Sequence, residues 1–203
     1  KQTDPQRELV SENLQFTVDG TRWQYRDKVY LLLHKPIDYE CSRNPQHYPS
    51  VLSLLPPQLQ ERGVQCVGRL DADTTGLLLF TDDGQLLHRI ISPKSRVAKV
   101  YQARLAADLR GDEAALFASG TLMLEAEKTP LLPAELEVLD ARQVRLTLHE
   151  GRYHQVRRMF AALGNHVEAL HRISVGGLAL AGLEHGCWRI LGCREIEGIF
   201  ATQ

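Results

Sequence analysis

The sequence predicts an α+β domain built on a large, mostly antiparallel sheet. Segments patterned as strands outnumber those patterned as helices. Several consecutive strands have no helix between them, which argues against βαβ alternation. The length of 203 residues fits one large domain or two small ones and can bury a core without staples.

Taken in order, residues 1–27 are polar and weakly patterned and read as an N-terminal arm or connector. Residues 29–34 form an apolar strand that Pro36 ends. Residues 37–50 are a loop, and 51–60 hold short helical turns interrupted by Pro56 and Pro57. Residues 64–70 and 77–80 read as two buried strands around an acidic loop carrying Asp71 and Asp73. Asp82 and Gln85 have capping-box spacing and open a helix over 85–91. Residues 97–105 alternate, so Lys99 and Tyr101 point the same way. Residues 112–119 form a short helix closed by Gly120. Strands follow at 122–126, 134–139 and 143–150, the last with Val144, Leu146 and Leu148 as its buried row. Residues 154–163 form an amphipathic helix with Val156, Met159, Phe160 and Leu163 inward, stopped by Gly164-Asn165. A strand over 166–173 places Val167, Ala169 and Ile173 on one face, and a C-terminal segment carries Trp188.

Composition narrows the class. The chain is 43% hydrophobic and 24% charged, as an ordinary soluble protein is. No apolar run approaches the ~20 residues of a membrane helix, and no signal peptide is visible. The cysteines at 41, 66, 187 and 193 form no C-x-x-C pair, so free thiols in a reducing cytoplasm are expected. The net charge is −1, but residues 89–110 carry a local +5 and residues 111–140 a local −6. Such polarity suits a polarised partner, or two ordinary solvated faces.

Two constellations carry chemistry. In the first, rigid strands hold the Asp71 loop, the setting in which functional loops are found. The same residues also suit an Asp-rich turn that bonds only its own backbone. The second runs from Glu150 to Arg158, where Arg152, His154, Arg157 and Arg158 crowd a helix start. The macrodipole disfavours cations there, so a carboxylate of this chain or a bound phosphate must offset them. Arg157 borders the apolar stripe and needs a partner, for which Asp71 is the candidate. A metal reading of His149-Glu150 with His154 fails on spacing, because the two histidines do not share a face. Asp71-Ala72-Asp73-Thr74-Thr75 also fits the start of a magnesium-dependent aspartate-nucleophile phosphatase, although βαβ alternation is missing. A non-catalytic RNA-binding or ribosome-assembly module is a third reading.

Gly68-Arg69-Leu70-Asp71, Thr75-Gly76-Leu77-Leu78 and Thr81-x-Asp83-Gly84 resemble the active-site motif of RNA pseudouridine synthases. Lys99-Val100-Tyr101 resembles their K-x-Y strand, and Glu150-Gly151-Arg152 with Gln155-Val156-Arg157-Arg158-Met159 their third motif. Gly176, Leu180, Gly186, Trp188, Arg189 and Leu191 fit the C-terminal pattern. Asp83-Gly84-Gln85, His88-Arg89-Ile90 and Arg152-Tyr153-His154-Gln155 are similar to the branch that modifies small-subunit ribosomal RNA. The resemblance implies an eight-stranded mixed sheet with flanking helices and a central cleft. Residues 28–203 would be the catalytic domain, with two subdomains around a shared sheet. It implies isomerisation of a uridine without cofactor or metal, the substrate being ribosomal RNA or a small-subunit assembly particle and the enzyme a monomer. Asp71, Tyr101 and Arg157 would be catalytic. Arg69, Lys99, Arg152, His154, Arg158, Arg89 and Arg96 would contact RNA. Asp71 would work ionised in a dry cleft. Such relatives usually carry an N-terminal S4-type domain, which is expected to be absent here, leaving residues 14–25 as a connector remnant. Where the family reads N-K-P-x-G, this chain reads His34-Lys35-Pro36-Ile37-Asp38, so a locally different turn is expected.

Overall fold

The computed structural model describes residues 14–18 and 20–201. Strands β1 (Gln15–Val18) and β2 (Thr21–Gln24) form a separate antiparallel hairpin. Strand β3 (Tyr30–Lys35) is the apolar run, and a 3-10 turn over Val51–Leu54 and helix α1 (Pro57–Glu61) follow on either side of Pro56. Next come β4 (Gln65–Val67), β5 (Thr74–Thr81) and helix α2 (Gly84–Ile91). Then follow β6 (Lys99–Leu105), α3 (Glu113–Ala118), β7 (Glu135–Val138), β8 (Gln143–Leu148) and α4 (Gln155–Ala162). The chain ends with β9 (Val167–Val175), β10 (Leu178–Ala179), β11 (Trp188–Ile190) and α5 (Cys193–Gly198).

Among the described residues one sheet holds nine strands, one more than the resemblance implied. Its main path runs β11-β3-β5-β9-β6-β8-β7, with β4 beside β5 and β10 beside β9. Every pairing in it is antiparallel except β5 with β9. Leu31, Leu32 and Leu33 are all fully buried because the middle of this sheet has a core on each face. Leu31, Leu33, Leu78 and Phe80 share one core with Val156, Met159 and Phe160 of α4. Leu32, Leu77 and Leu79 share the other with Ile90 of α2 and the C-terminal Leu191 and Ile199.

Four local expectations are corrected. The cap of α2 is Asp83, whose Oδ1 accepts from the Gln85 and Leu86 amides. Asp82 instead accepts from Val29 N and pairs with Arg62, tying β3 to the end of α1. Residues 122–126 form no strand, because Leu124 and Leu131 anchor a loop in the core and turn Glu127 towards α4. In β9, the face expected from Val167, Ala169 and Ile173 breaks up at two bulges against β6. The bulges turn Leu170 and Arg172 inward and leave Ala169 exposed. The fourth concerns the 34–38 turn. Asp38 has φ 61, a left-handed conformation that glycine adopts freely and aspartate tolerates. The turn therefore needs no different path.

Gly76 is the hinge of the sheet. It pairs with Lys35 across the antiparallel β3 and with Arg172 across the parallel β9. Its φ is +115, and an added Cβ would overlap the Arg172 backbone. Gly76→Ala should therefore lower stability by about 2 kcal/mol or more, read as a lower urea midpoint with an unchanged m-value.

Candidate active site

The loop between β4 and β5 is held from below by a lysine. Lys35 is fully buried at the end of an apolar strand. Its Nζ donates to Pro36 O at 2.9 Å, Ala72 O at 3.1 Å and Thr74 O at 3.0 Å. Those bonds match the three donors of an ammonium. Burial pulls its pKa below the ordinary lysine value, opposed by the Cys41 thiol and the carboxylates of Asp73, Asp71 and Asp38. Asp38 N also donates to Ala72 O, and Thr74 N to Asp71 O, so the loop backbone is bonded on both sides of Asp71.

Asp71 projects from this loop into an open cleft walled by Tyr101, Leu148, Val156 and Leu170 and rimmed by Arg69, Gly151, Arg152, His154 and Arg157. Its side chain is 33% exposed, so the cleft is not dry as expected but open on one side. His154 Nε2 lies 3.1 Å from Asp71 Oδ1. Arg157 Nε lies 4.0 Å from Asp71 Oδ2, whereas its Nη2 lies 2.8 Å from Asp73 Oδ2. Neither nitrogen is aligned for a hydrogen bond, while Nη1 donates to Val167 O at 2.7 Å. The expected Asp71–Arg157 ion pair is thus present but shared. Arg157 sits closer to Asp73, and the nearest cationic-type partner of Asp71 is His154.

Arg152 and Arg158, expected at the RNA, are engaged by carboxylates of the chain itself. Arg152 pairs with Glu150 at 3.0 Å and Glu127 at 3.1 Å, and donates to Thr129 O and Pro130 O. Arg158 pairs with Glu127 at 2.8 Å and donates to Glu125 O. The Arg158 hydrogen bond, helped by that of Arg152, holds the Glu127 carboxyl below its ordinary pKa, against a desolvation penalty that outweighs the Arg152 bond alone. These pairs answer the macrodipole conflict and strap the loop preceding β7 to the start of α4.

The basic stretch 89–110 is not one surface. Arg89 lies over the Phe200 ring at 3.7 Å, beside the core on the face away from the cleft. Arg96 is exposed at a left-handed turn, and Arg104 and Arg110 pair with Glu168 and Asp112. Lys99 shares a face with Tyr101 as expected, but its Nζ donates to Val97 O and does not line the cleft. Only Asp71, Tyr101, Arg157, Arg69, Arg152 and His154 of the ten expected site residues come together there.

Sequence reading missed two buried cations. One is Lys35, at the end of an apolar strand and next to Pro36, where nothing in the sequence signals burial. The other is Arg172, 3% exposed, whose Nε donates to Leu77 O at 2.7 Å. Its guanidinium carbon lies 6.0 Å from the Tyr101 ring centroid and Nη1 lies 3.5 Å from the Tyr101 hydroxyl. No carboxylate pairs with it among the described residues. Its charge, behind desolvation, helps push Lys99 down to about 8. Among the described residues no group of three His, Cys, Asp or Glu is placed to hold a metal ion.

An aspartate loop clipped between strands, facing a tyrosine and an arginine across a mixed sheet, is the architecture of an RNA-modifying isomerase. Residues 29–162 match the family model described as RNA pseudouridylate synthase, and the chain belongs to that family. It is 47% identical over 171 residues to ribosomal small subunit pseudouridine synthase A of Escherichia coli strain K12, covering 84% of this chain and 73% of that one. It is 44% identical over 184 residues to the protein of that name from Vibrio cholerae, covering 88% and 79%. A crystal structure of a pseudouridylate synthase superposes with a TM-score of 0.81 at 45% identity, covering 85% of this chain and 74% of that one.

Two measurements check this geometry. Lys35→Met should remove three charge-assisted hydrogen bonds to backbone carbonyls, each worth about 1.5–3 kcal/mol. Urea unfolding should show a loss of roughly 3 kcal/mol or more. Lys99 titrates at about 8 in the folded chain against 10.5 ordinarily. Between those values the unfolded chain binds the proton and the folded chain does not, so this site's contribution to stability rises with pH from 8 to 10.5. Wild type should gain on Lys99→Met across that window, and a flat difference would show that Lys99 is not perturbed.

Proposed function

We propose that this chain isomerises a uridine of small-subunit ribosomal RNA to pseudouridine, acting on the RNA or on an assembly particle. Residues 28–203 serve as the catalytic domain. The observation that carries the reading is Asp71, presented into the cleft on a backbone clipped by Lys35 and faced by Tyr101, His154 and Arg157. The relatives named for the small ribosomal subunit supply the substrate class. No helix among the described residues is long and apolar enough to cross a membrane. A ribosomal RNA substrate would place the enzyme in the cytoplasm.

The reaction breaks the glycosidic bond from N1 to C1′, turns the base and joins C5 to C1′. N1 gains a proton and C5 loses one. The uridine must leave its stack to enter the cleft, and its sugar and base then cover the open side of Asp71. Asp71 acts as a carboxylate, attacking the sugar or taking a proton from it. Arg157 and His154 orient its two oxygens, which matters because misplaced groups lose rate steeply. Tyr101 offers the uracil a flat face and holds its hydroxyl for the C5 proton. Asp73 braces Arg157, and Arg69 is placed on the rim for a phosphate.

Release of tritium from small-subunit RNA labelled at uracil C5, measured with EDTA present, tests this directly. Asp71→Asn should reduce release by at least about three orders of magnitude while leaving thermal unfolding nearly unchanged. Asp73→Asn should cost far less, since Arg157 keeps its bond to Val167 O. Near-wild-type turnover in Asp71→Asn would sink the mechanism, and magnesium-dependent phosphate release would favour the phosphatase reading instead.

A further inference from the structure

Among the described residues Tyr153 is the most exposed of the large hydrophobic side chains at 69%, yet it is firmly held. Its ring stacks on His154, with centroids 3.8 Å apart and planes 20° from parallel. His154 in turn lies against Asp71. Tyr153 O accepts from Arg158 Nη1 at 3.1 Å, and Arg158 is itself fixed by Glu127 and Glu125 O. His154 adopts a left-handed conformation, φ 47 and ψ 35, which brings the two rings together. A histidine pays backbone strain there, and such strain gathers at functional sites. Arg152 and His154, on either side of Tyr153, line the cleft, while Tyr153 stands outside it with one face covered and the other in water.

We infer that the free face of Tyr153 is a stacking subsite for an unpaired nucleobase, the one next to the uridine in the cleft. The inference rests on the proposed RNA-uridine reaction. Withdrawing a uridine from its stack leaves the neighbouring base with a bare face. Single-stranded RNA is commonly held by aromatic rings that cover such faces, with little demand on base identity. A rigid tyrosine at the lip gives up little side-chain freedom on binding. The neighbouring base would be covered as the uridine enters.

The test is tritium release from a small-subunit RNA transcript labelled at uracil C5, by wild type, Tyr153→Phe, Tyr153→Leu and Tyr153→Ala. Tyr153 is exposed, so all four should unfold at similar temperatures. Stacking on one base predicts that KM rises on the order of tenfold in Tyr153→Ala and Tyr153→Leu, with kcat within about twofold. Tyr153→Phe should keep the wild-type KM, because a flat ring suffices. Leu separates stacking from simple apolar bulk. An unchanged KM in Tyr153→Ala, or a Leu variant as good as Phe, overturns the subsite while the proposed reaction stands. Wild-type protein that releases no tritium from the transcript or from a small-subunit assembly particle carrying the same label overturns the proposed reaction, and the subsite with it.

Discussion

A buried ammonium sets the position of the Asp71 loop. Lys35 lies beneath the Asp71 loop because β3 is apolar and central, and it turns two carbonyls of that loop towards one charge. A loop tied this way does not need to order itself when a substrate arrives, which is the structural content of preorganisation. The arrangement also explains why the loop follows β4 and leads straight into β5. Thr74, the last clipped residue, is the first to pair with β9. The strand that crosses Gly76 thus fixes the loop at one end and the sheet at the other.

Charge is divided at the start of α4. Four cationic-type residues meet there at the end of a helix that repels them. Arg152 and Arg158 are neutralised by Glu127, which comes from the acidic stretch, and Arg152 also by Glu150 two residues before it. That leaves His154 and Arg157 to face Asp71 and Asp73. The charge imbalance along the sequence is therefore partly spent inside the molecule. A run of like charges gives the local composition but not the partner each side chain finds in three dimensions.

The fold class, most element positions and the heart of the site were legible in the sequence. Alternation revealed β6 and β8 because neither strand slips along their shared ladder. Asp71, Tyr101 and Arg157 stood out through their motifs and do meet in one cleft. What escaped were features decided by distant contacts. Arg172 was hidden because two bulges break the period of its strand. Lys35 was hidden because an isolated charge beside a proline looks like a strand end meeting water. Residues 122–126 alternate like a strand because their leucines are anchors, and alternation records burial rather than pairing. The cap of α2 moved by one residue because Asp82 was already engaged by Val29 and Arg62.

The two bulges in β9 also limit how this strand can change over generations. An ordinary strand tolerates exchange of one outward residue for another because each face is read independently. In β9 the phase changes after Val167 and again before Ser174, so its middle is keyed to both neighbours at once. Deleting one residue between the bulges would turn Arg172 away from Tyr101 and bring His171 into the core. Inserting one would separate Gly76 from the backbone it fits against. Substitutions here can accumulate singly, but length cannot drift, and an alignment gap inside this strand would mark a protein with a different cleft.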